Sequence, residues 1–307
     1  MPTFSATAET CANQDRRALA RLPRTNIPVA ARRVHHPFRA VLRALLGAMV
    51  AVAAAHAHAD SIKIGGTGTG LGAMKLLAQE YRKSRPGAQL IIAPSLGSTG
   101  AIKAVLANAV DIGISARPLS AEERRQGASA QAYARTPFVL ATGSKNKFAG
   151  MSLHQLAQIT AGEVTTWPDG SPIRLVVRPD SETDTVALRA FCAEMDRAVT
   201  AAMQRKGLRM ATTDQDNADA LEQLPGSLGM TTLTQIITEE RALRPLALDG
   251  AMPTLQALAA GEYRYFKTLH LVTGANPSPL AQDFVAFVRS PAGQAVLARS
   301  GNLALAQ

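Results

Sequence analysis

The sequence predicts an α/β protein of two lobes, each a mostly parallel sheet flanked by helices, joined by a two-strand hinge. Three observations predict it. Residues 60–120 repeat one unit, in which a short apolar strand runs into a Gly/Ser/Thr turn and then an amphipathic helix. A second set of this kind follows, with a strand over 173–177 and a helix over 184–195. Two further apolar strands, 137–142 and 269–273, break the alternation and read as the crossings between lobes.

The first 59 residues stand apart from that fold. Eight arginines (Arg16, Arg17, Arg21, Arg24, Arg32, Arg33, Arg39, Arg43) lead into an apolar run over 40–55 that ends in Ala57-His58-Ala59, before Asp60. That is the layout of a secretory signal with a small-residue cleavage site. The run is interrupted by Arg43 and falls short of the roughly 20 residues that span a bilayer, so export to the periplasm is expected. The leader holds eight of the 33 basic and two of the 23 acidic residues, leaving 25 and 21, and the net charge falls from +10 to +4. The basic excess therefore belongs to targeting. No Lys/Arg stripe interleaved with aromatics remains, which excludes nucleic acid as a partner. Cys11 lies in the leader and Cys192 is alone after it, so the exported chain can form no internal disulfide. Beside Phe191 and Met195, Cys192 reads as a small buried hydrophobe. The expected division is leader 1–59, lobe I 60–137 plus 270–307, and lobe II 138–269.

Past the leader, a strand over 61–64 enters Gly65-Gly66-Thr67-Gly68-Thr69-Gly70 and a helix that presents Met74, Leu77, Ala78 and Tyr81 on one face. A strand over 89–93 enters Leu96-Gly97-Ser98-Thr99-Gly100 and a helix through Ile102, Val105 and Leu106. The third strand is 110–115. In lobe II, Trp167-Pro168-Asp169-Gly170 has turn chemistry, with proline fixing φ and glycine closing the turn. After the second crossing come a helix over 279–290, with Phe284, Phe287 and Val288 on one side, and a short terminal helix from Pro291.

Parallel sheets bind ligands at the carboxyl ends of their strands, and hydroxyl-bearing turns collect there: Thr67 and Thr69, Ser98 and Thr99, and Ser115. A desolvated oxyanion needs many donors. Helix N-termini offer free N–H groups and a favourable dipole, and Ser or Thr hydroxyls add donors without charge. Each turn alone reads more readily as an ordinary N-cap or loop; three on one sheet edge favour an anion site. A fourth turn, 178–185, supplies Arg178 with its bidentate fork, or else a surface arginine paired with Asp180.

Leu96-Gly97-Ser98-Thr99-Gly100-Ala101-Ile102-Lys103 followed by Asp111-Ile112-Gly113-Ile114-Ser115-Ala116-Arg117-Pro118-Leu119 resembles the paired first-lobe signature of the periplasmic phosphate-binding (PstS-like) family, the substrate-binding proteins of ABC-type uptake systems. The segment 162–170, the strand ending in Arg178, and Pro225-Gly226-Ser227-Leu228-Gly229-Met230 resemble its second-lobe landmarks in the same order. The resemblance runs from about Ile62 to the C-terminus. It implies the type II periplasmic-binding-protein fold, closing on inorganic phosphate or a related oxyanion, with an ABC permease in the inner membrane as partner, no cofactor or metal, and a monomeric chain. It assigns ligand contacts to Ser98 and Arg178. Thr67, Thr69, Gly70 and Leu71 match its first turn in more than one register, while Thr99, Ser115, Ser181, Thr183 and Thr185 complete the candidate set.

Two departures accompany it. Phosphate binders of this family follow the matched serine with an aspartate, but Ser115 is followed by Ala116 and Arg117. The missing acceptor implies phosphate affinity that rises with pH. Their Ser-Gly-Thr after the arginine is here Glu182, Thr183 and Asp184, and two carboxylates beside an anion are unfavourable unless they point away or pair with Arg117.

Competing chemistry lacks parts. Gly68-Thr69-Gly70-Leu71-Gly72-Ala73 fits the dinucleotide G-x-G-x-x-A, yet the second strand ends Ile92-Ala93-Pro94-Ser95 without its acidic residue. Only His154 and His270 follow the leader, neither in a nucleophile or metal pattern. His154 reads as a helix-surface residue and His270 as a satisfied core histidine, so no catalytic role is expected. A sensor or accessory protein of the same fold, with a different ligand or none, is the remaining alternative.

Overall fold

The computed structural model describes residues 61–305; the leader, its cleavage site and Cys11 lie outside the described residues. Lobe I begins with β1 (Ser61–Gly66), α1 (Gly68–Ser84), β2 (Gln89–Ser95), α2 (Gly97–Leu106), β3 (Ile112–Ser115) and α3 (Ala121–Arg125). The long strand β4 (Ser129–Gly143) leads into lobe II: β5 (Gly150–Met151), α4 (Leu153–Ala161), β6 (Arg174–Val177), α5 (Thr183–Arg189), α6 (Ala193–Gln204), β7 (Arg209–Met210), α7 (Asp214–Gln223), β8 (Ser227–Thr232), α8 (Leu233–Thr238), β9 (Leu243–Pro245), β10 (Ala247–Leu248) and α9 (Leu255–Ala259). β11 (Phe266–Thr273) returns to lobe I, which α10 (Pro279–Arg289), α11 (Pro291–Arg299) and β12 (Leu303–Ala304) complete.

The main sheet runs β2-β1-β3-β11-β4-β8-β6-β7. Its outer strands are parallel, with β1 against β2 and β3, and β6 against β7 and β8. Between them, β11 and β4 are antiparallel to their neighbours. β4 serves both lobes: 129–137 pair with β11, whereas Phe138 onward pairs with β8 and β9. Pairing of β11 begins at Phe266, ahead of the expected boundary at 269/270.

Alternation along the strands splits the core. Ile62 and Ile64 face Met74, Leu77 and Tyr81 of α1, with Phe284 and Val288 of α10 closing that layer. Ile102, Val105 and Val272 fill the opposite face of the lobe I sheet. In lobe II, Phe138 and Leu140 pack with Trp167, Met195 and Tyr263, while Val139 and Ala141 turn to Val176 and Leu221. Each such aliphatic or aromatic residue contributes about 1.5–3 kcal/mol when fully buried, so each lobe has its own core.

Three local expectations differ from the structure. The helix expected over 184–195 is two, broken where Cys192 takes extended backbone and caps α6, its Sγ accepting the Met195 N–H at 3.4 Å; Cys192 is half-buried, not an interior hydrophobe. The residues before 137 are strand as well, because β11 and β12 pair with them. His270 is only partly buried, and among the described residues its Nδ1 has no hydrogen-bond partner; burial lowers its basicity. The turn at Trp167 forms as read, with the Gly170 N–H donating to Trp167 O at 2.9 Å. Among the described residues no helix is long and apolar enough to cross a membrane.

Candidate functional site

Two lobe I helices start at the carboxyl ends of parallel strands. Thr67, the N-cap of α1, has extended backbone but makes no side-chain bond to its own helix. Thr67, Thr69 and Leu71 are buried, and a Cβ on Gly70 would stand 2.6 Å from Ile114 Cγ2, so only glycine lets α1 approach β3 this closely. α2 opens on Gly97, whose φ of +66° is left-handed and favours glycine. The Ser98 hydroxyl accepts the Ala116 N–H at 2.9 Å. The buried Ser115 hydroxyl donates to Arg117 O at 2.7 Å. Thr99 is exposed and accepts from Arg117 Nη2 at 3.2 Å. These three residues form one corner, pinned by Arg117. Arg117 itself bonds both Glu123 oxygens, at 2.9 and 2.7 Å, rather than Glu182 or Asp184 as one expectation had it. That guanidinium holds the Glu123 carboxyl down to about 2.

In lobe II, Arg178 follows β6 and is 6% exposed. Its Nη1 donates to Ala211 O at 3.0 Å. Its Nη2 lies 3.3 Å from Glu182 Oε2 and 3.6 Å from Asp214 Oδ1. Nε stands 3.8 Å from Asp184 Oδ2 and is a buried donor without an acceptor among the described residues. Asp180, the alternative partner, is bound to Arg189 at 2.8 Å. Lys267, from β11, is buried, bonded to Asp184, and donates to Thr183 Oγ1 at 3.2 Å. The Thr185 hydroxyl donates to Arg178 O at 3.0 Å. Ser181 is exposed on the turn.

The lobes meet on Asp214, the first residue of α7. Its Oδ2 accepts from the Thr67 hydroxyl and from the Thr69 N–H, both at 3.0 Å, while Oδ1 faces Arg178. Glu182 reaches toward the second helix start, its Oε1 4.0 Å from where a Cβ on Gly97 would lie. Two cations, Arg178 and Lys267, thus share the cleft with Glu182, Asp184 and Asp214. Burial raises the Glu182 carboxyl above its ordinary value, and Asp214 and Asp184 add to that against the pull of Arg178 and Lys267. Among the described residues no acidic cluster is placed to hold a metal ion. A helix start, a hydroxyl and an N–H thus converge on one carboxylate, with a guanidinium 3.6 Å from its other oxygen.

Thr67, Thr69 and Arg178 therefore come together, with Ser98 and Thr99 at the neighbouring helix start. Thr183 and Thr185 brace the lobe II cations, and Ser115 is spent on its own turn. Asp214 and Lys267 were not anticipated. Asp214 follows Thr213, whose hydroxyl caps α7, and so reads as ordinary helix-start acid. Lys267 had one available signal, a lysine beside an apolar strand. Ala116 leaves the position after Ser115 without an acid, and Asp214, reaching in from the other lobe, is a cleft acid that no motif marks.

The PBP superfamily domain matches residues 51–292. The phosphate-binding protein PstS of Bacillus subtilis is 25% identical over 224 residues, 69% of this chain and 70% of that protein. A Clostridium perfringens protein designated a phosphate ABC transporter substrate-binding protein, crystallised with bound phosphate, superposes with a TM-score of 0.69 at 19% identity, over 80% of this chain and 100% of that one. An ABC-type phosphate transport receptor from Vibrio cholerae gives 0.58 at 17% identity, over 79% and 99%. At these identities the two structures speak to the fold alone.

Proposed function

The chain belongs to the PBP superfamily, and on that premise we propose that it is a periplasmic solute-binding protein that captures a small oxyanion, phosphate foremost, between its lobes for an ABC-type importer. One observation carries the reading: the Thr67 hydroxyl, the Thr69 N–H and Arg178 already converge on an oxyanion, the Asp214 carboxylate. Phosphate presents the same acceptor oxygens to the same donors. The names of the relatives support phosphate as cargo, and the arginine-rich leader supports export. The cleft offers hydrogen bonds and charge, the chemistry of capture, so no catalytic step is assigned to it.

Calorimetric titration of oxyanion-free protein with phosphate, arsenate, sulfate and molybdate tests the reading. One oxyanion is expected to bind, and Arg178→Ala is expected to weaken it by about 2–5 kcal/mol, the scale for truncating one partner of a buried charged contact. Heat from none of the four, or an Arg178→Ala protein that binds as wild type does, would overturn it. A second reading, a periplasmic sensor or accessory protein with another ligand or none, draws on the three carboxylates in the cleft.

A further inference from the structure

The anion position of this cleft is filled by the chain itself. We infer that Asp214 is a tethered occupant, a carboxylate that holds the lobes shut without cargo and that an entering oxyanion must displace. The displacement half rests on the oxyanion reading above; the latch half stands without it.

Several features carry the inference. Asp214 belongs to lobe II, yet among the described residues its Oδ2 is bonded only across the cleft, to Thr67 and Thr69 of lobe I. Its own helix does not need it, because the Thr213 hydroxyl already accepts the Asp216 N–H at 3.0 Å. Conversely, α1 takes no cap from Thr67 and receives one from Asp214, a negative charge at a helix start where the dipole favours it. The approach is cut to fit: a Cβ on Gly68 would lie 2.7 Å from Asp214 Cβ and 2.8 Å from Oδ2. Gln235 Nε2 donates to Asp214 O at 3.0 Å and fixes the backbone that carries the carboxylate. Glu182 lies near the start of α2 without bonding to it, its Oε1 4.0 Å from where a Cβ on Gly97 would lie, and it accepts from Arg178, which also faces Asp214.

A carboxylate tethered at an anion site competes intramolecularly, and the apparent affinity for a free anion falls by the fraction of time the site is self-occupied. Freed of it, the cleft should bind more tightly and rest open.

Spin labels at Lys103→Cys in lobe I and Lys206→Cys in lobe II, in a Cys11→Ser, Cys192→Ser background of the full chain, report lobe separation in oxyanion-free buffer. The wild-type distance is expected to be short and single. Asp214→Asn, which keeps the shape of the side chain, is expected to lengthen it, as is Thr67→Val from the other side of the contact. Inorganic phosphate should restore the short distance in Asp214→Asn and bind it about tenfold or more tightly than wild type. A long wild-type distance, or one that neither variant changes, would overturn the latch. Weaker phosphate binding by Asp214→Asn would overturn the competition, making Asp214 a contact to the cargo. Opening in both variants with phosphate bound by none of the proteins would support the latch and remove the oxyanion reading.

Discussion

Arg178 is the residue on which the cleft's electrostatics turn. It is buried beside Glu182, Asp184 and Asp214, and a buried charge persists only when paired. The surplus carboxylate has a cost, visible at Glu182. Its raised proton affinity, set first by burial, means that the fold favours the neutral form: its contribution is favourable below the ordinary carboxylate range and is lost as pH rises through the raised value. The ionised side chain is therefore less favourable in the fold than the neutral one, despite its bond to Arg178. Glu182→Gln is expected to raise the melting temperature at pH 7, with the gain vanishing by about pH 4, where carboxyl and amide are both neutral. Scanning calorimetry at both pH values in oxyanion-free buffer checks this. A lower melting temperature for the variant at pH 7 would mean that the Arg178 pairing outweighs burial. At this scale the sequence was only partly readable. Ser98 and Arg178 carry a motif, but the Thr67–Asp214 bond joins residues 147 positions apart in different lobes, and no local pattern encodes it.

Among the elements, α1 shows how one motif can serve two chemistries. Its Gly68-x-Gly70-x-x-Ala73 start fits a dinucleotide turn on spacing, but the structure uses its glycines, Gly72 among them, for contact. Gly70 admits β3, and Gly68 and Gly72 admit α7 and α8 of the other lobe. A Cβ on Gly72 would fall 2.0 Å from Thr238 Oγ1 and 2.6 Å from its Cβ, so a side chain there must push α8 away. Gly72→Val is expected to leave the circular dichroism of each lobe intact, enlarge the radius of gyration in X-ray scattering, and weaken oxyanion binding, since overpacking of this kind costs about 1–3 kcal/mol. An unchanged radius would place the lobe contact elsewhere. Elements made by their own sequence were legible: β1 to β3 with α1 and α2, because strand and helix periodicities alternate there without interruption. The first half of β4 was not. Ser129-Ala-Gln-Ala-Tyr-Ala-Arg-Thr136 is small and polar, and it becomes strand through pairing with β11 and β12. The break at Cys192 was hidden for a related reason, since a sulfur cap is not a common helix-start signal.

For the molecule as a whole, β4 and β11 carry the chain between two separately cored lobes, and the site lies where helix starts from one meet the charges of the other. On the proposed reading, cargo capture and lobe closure are one event, because the groups that would hold an anion belong to both sides. Residues 60–307 are only slightly basic overall, at +4, so on the proposed reading recognition depends on buried local charge more than on a long-range field. A crystal structure grown in saturating phosphate bears most directly on this. The expected result is one phosphate between the lobes, accepting from the Thr67 hydroxyl, the Thr69 N–H and the Arg178 guanidinium, with Asp214 withdrawn from Thr67. Asp214 still bonded to Thr67 and Thr69, and phosphate elsewhere or nowhere, would contradict it.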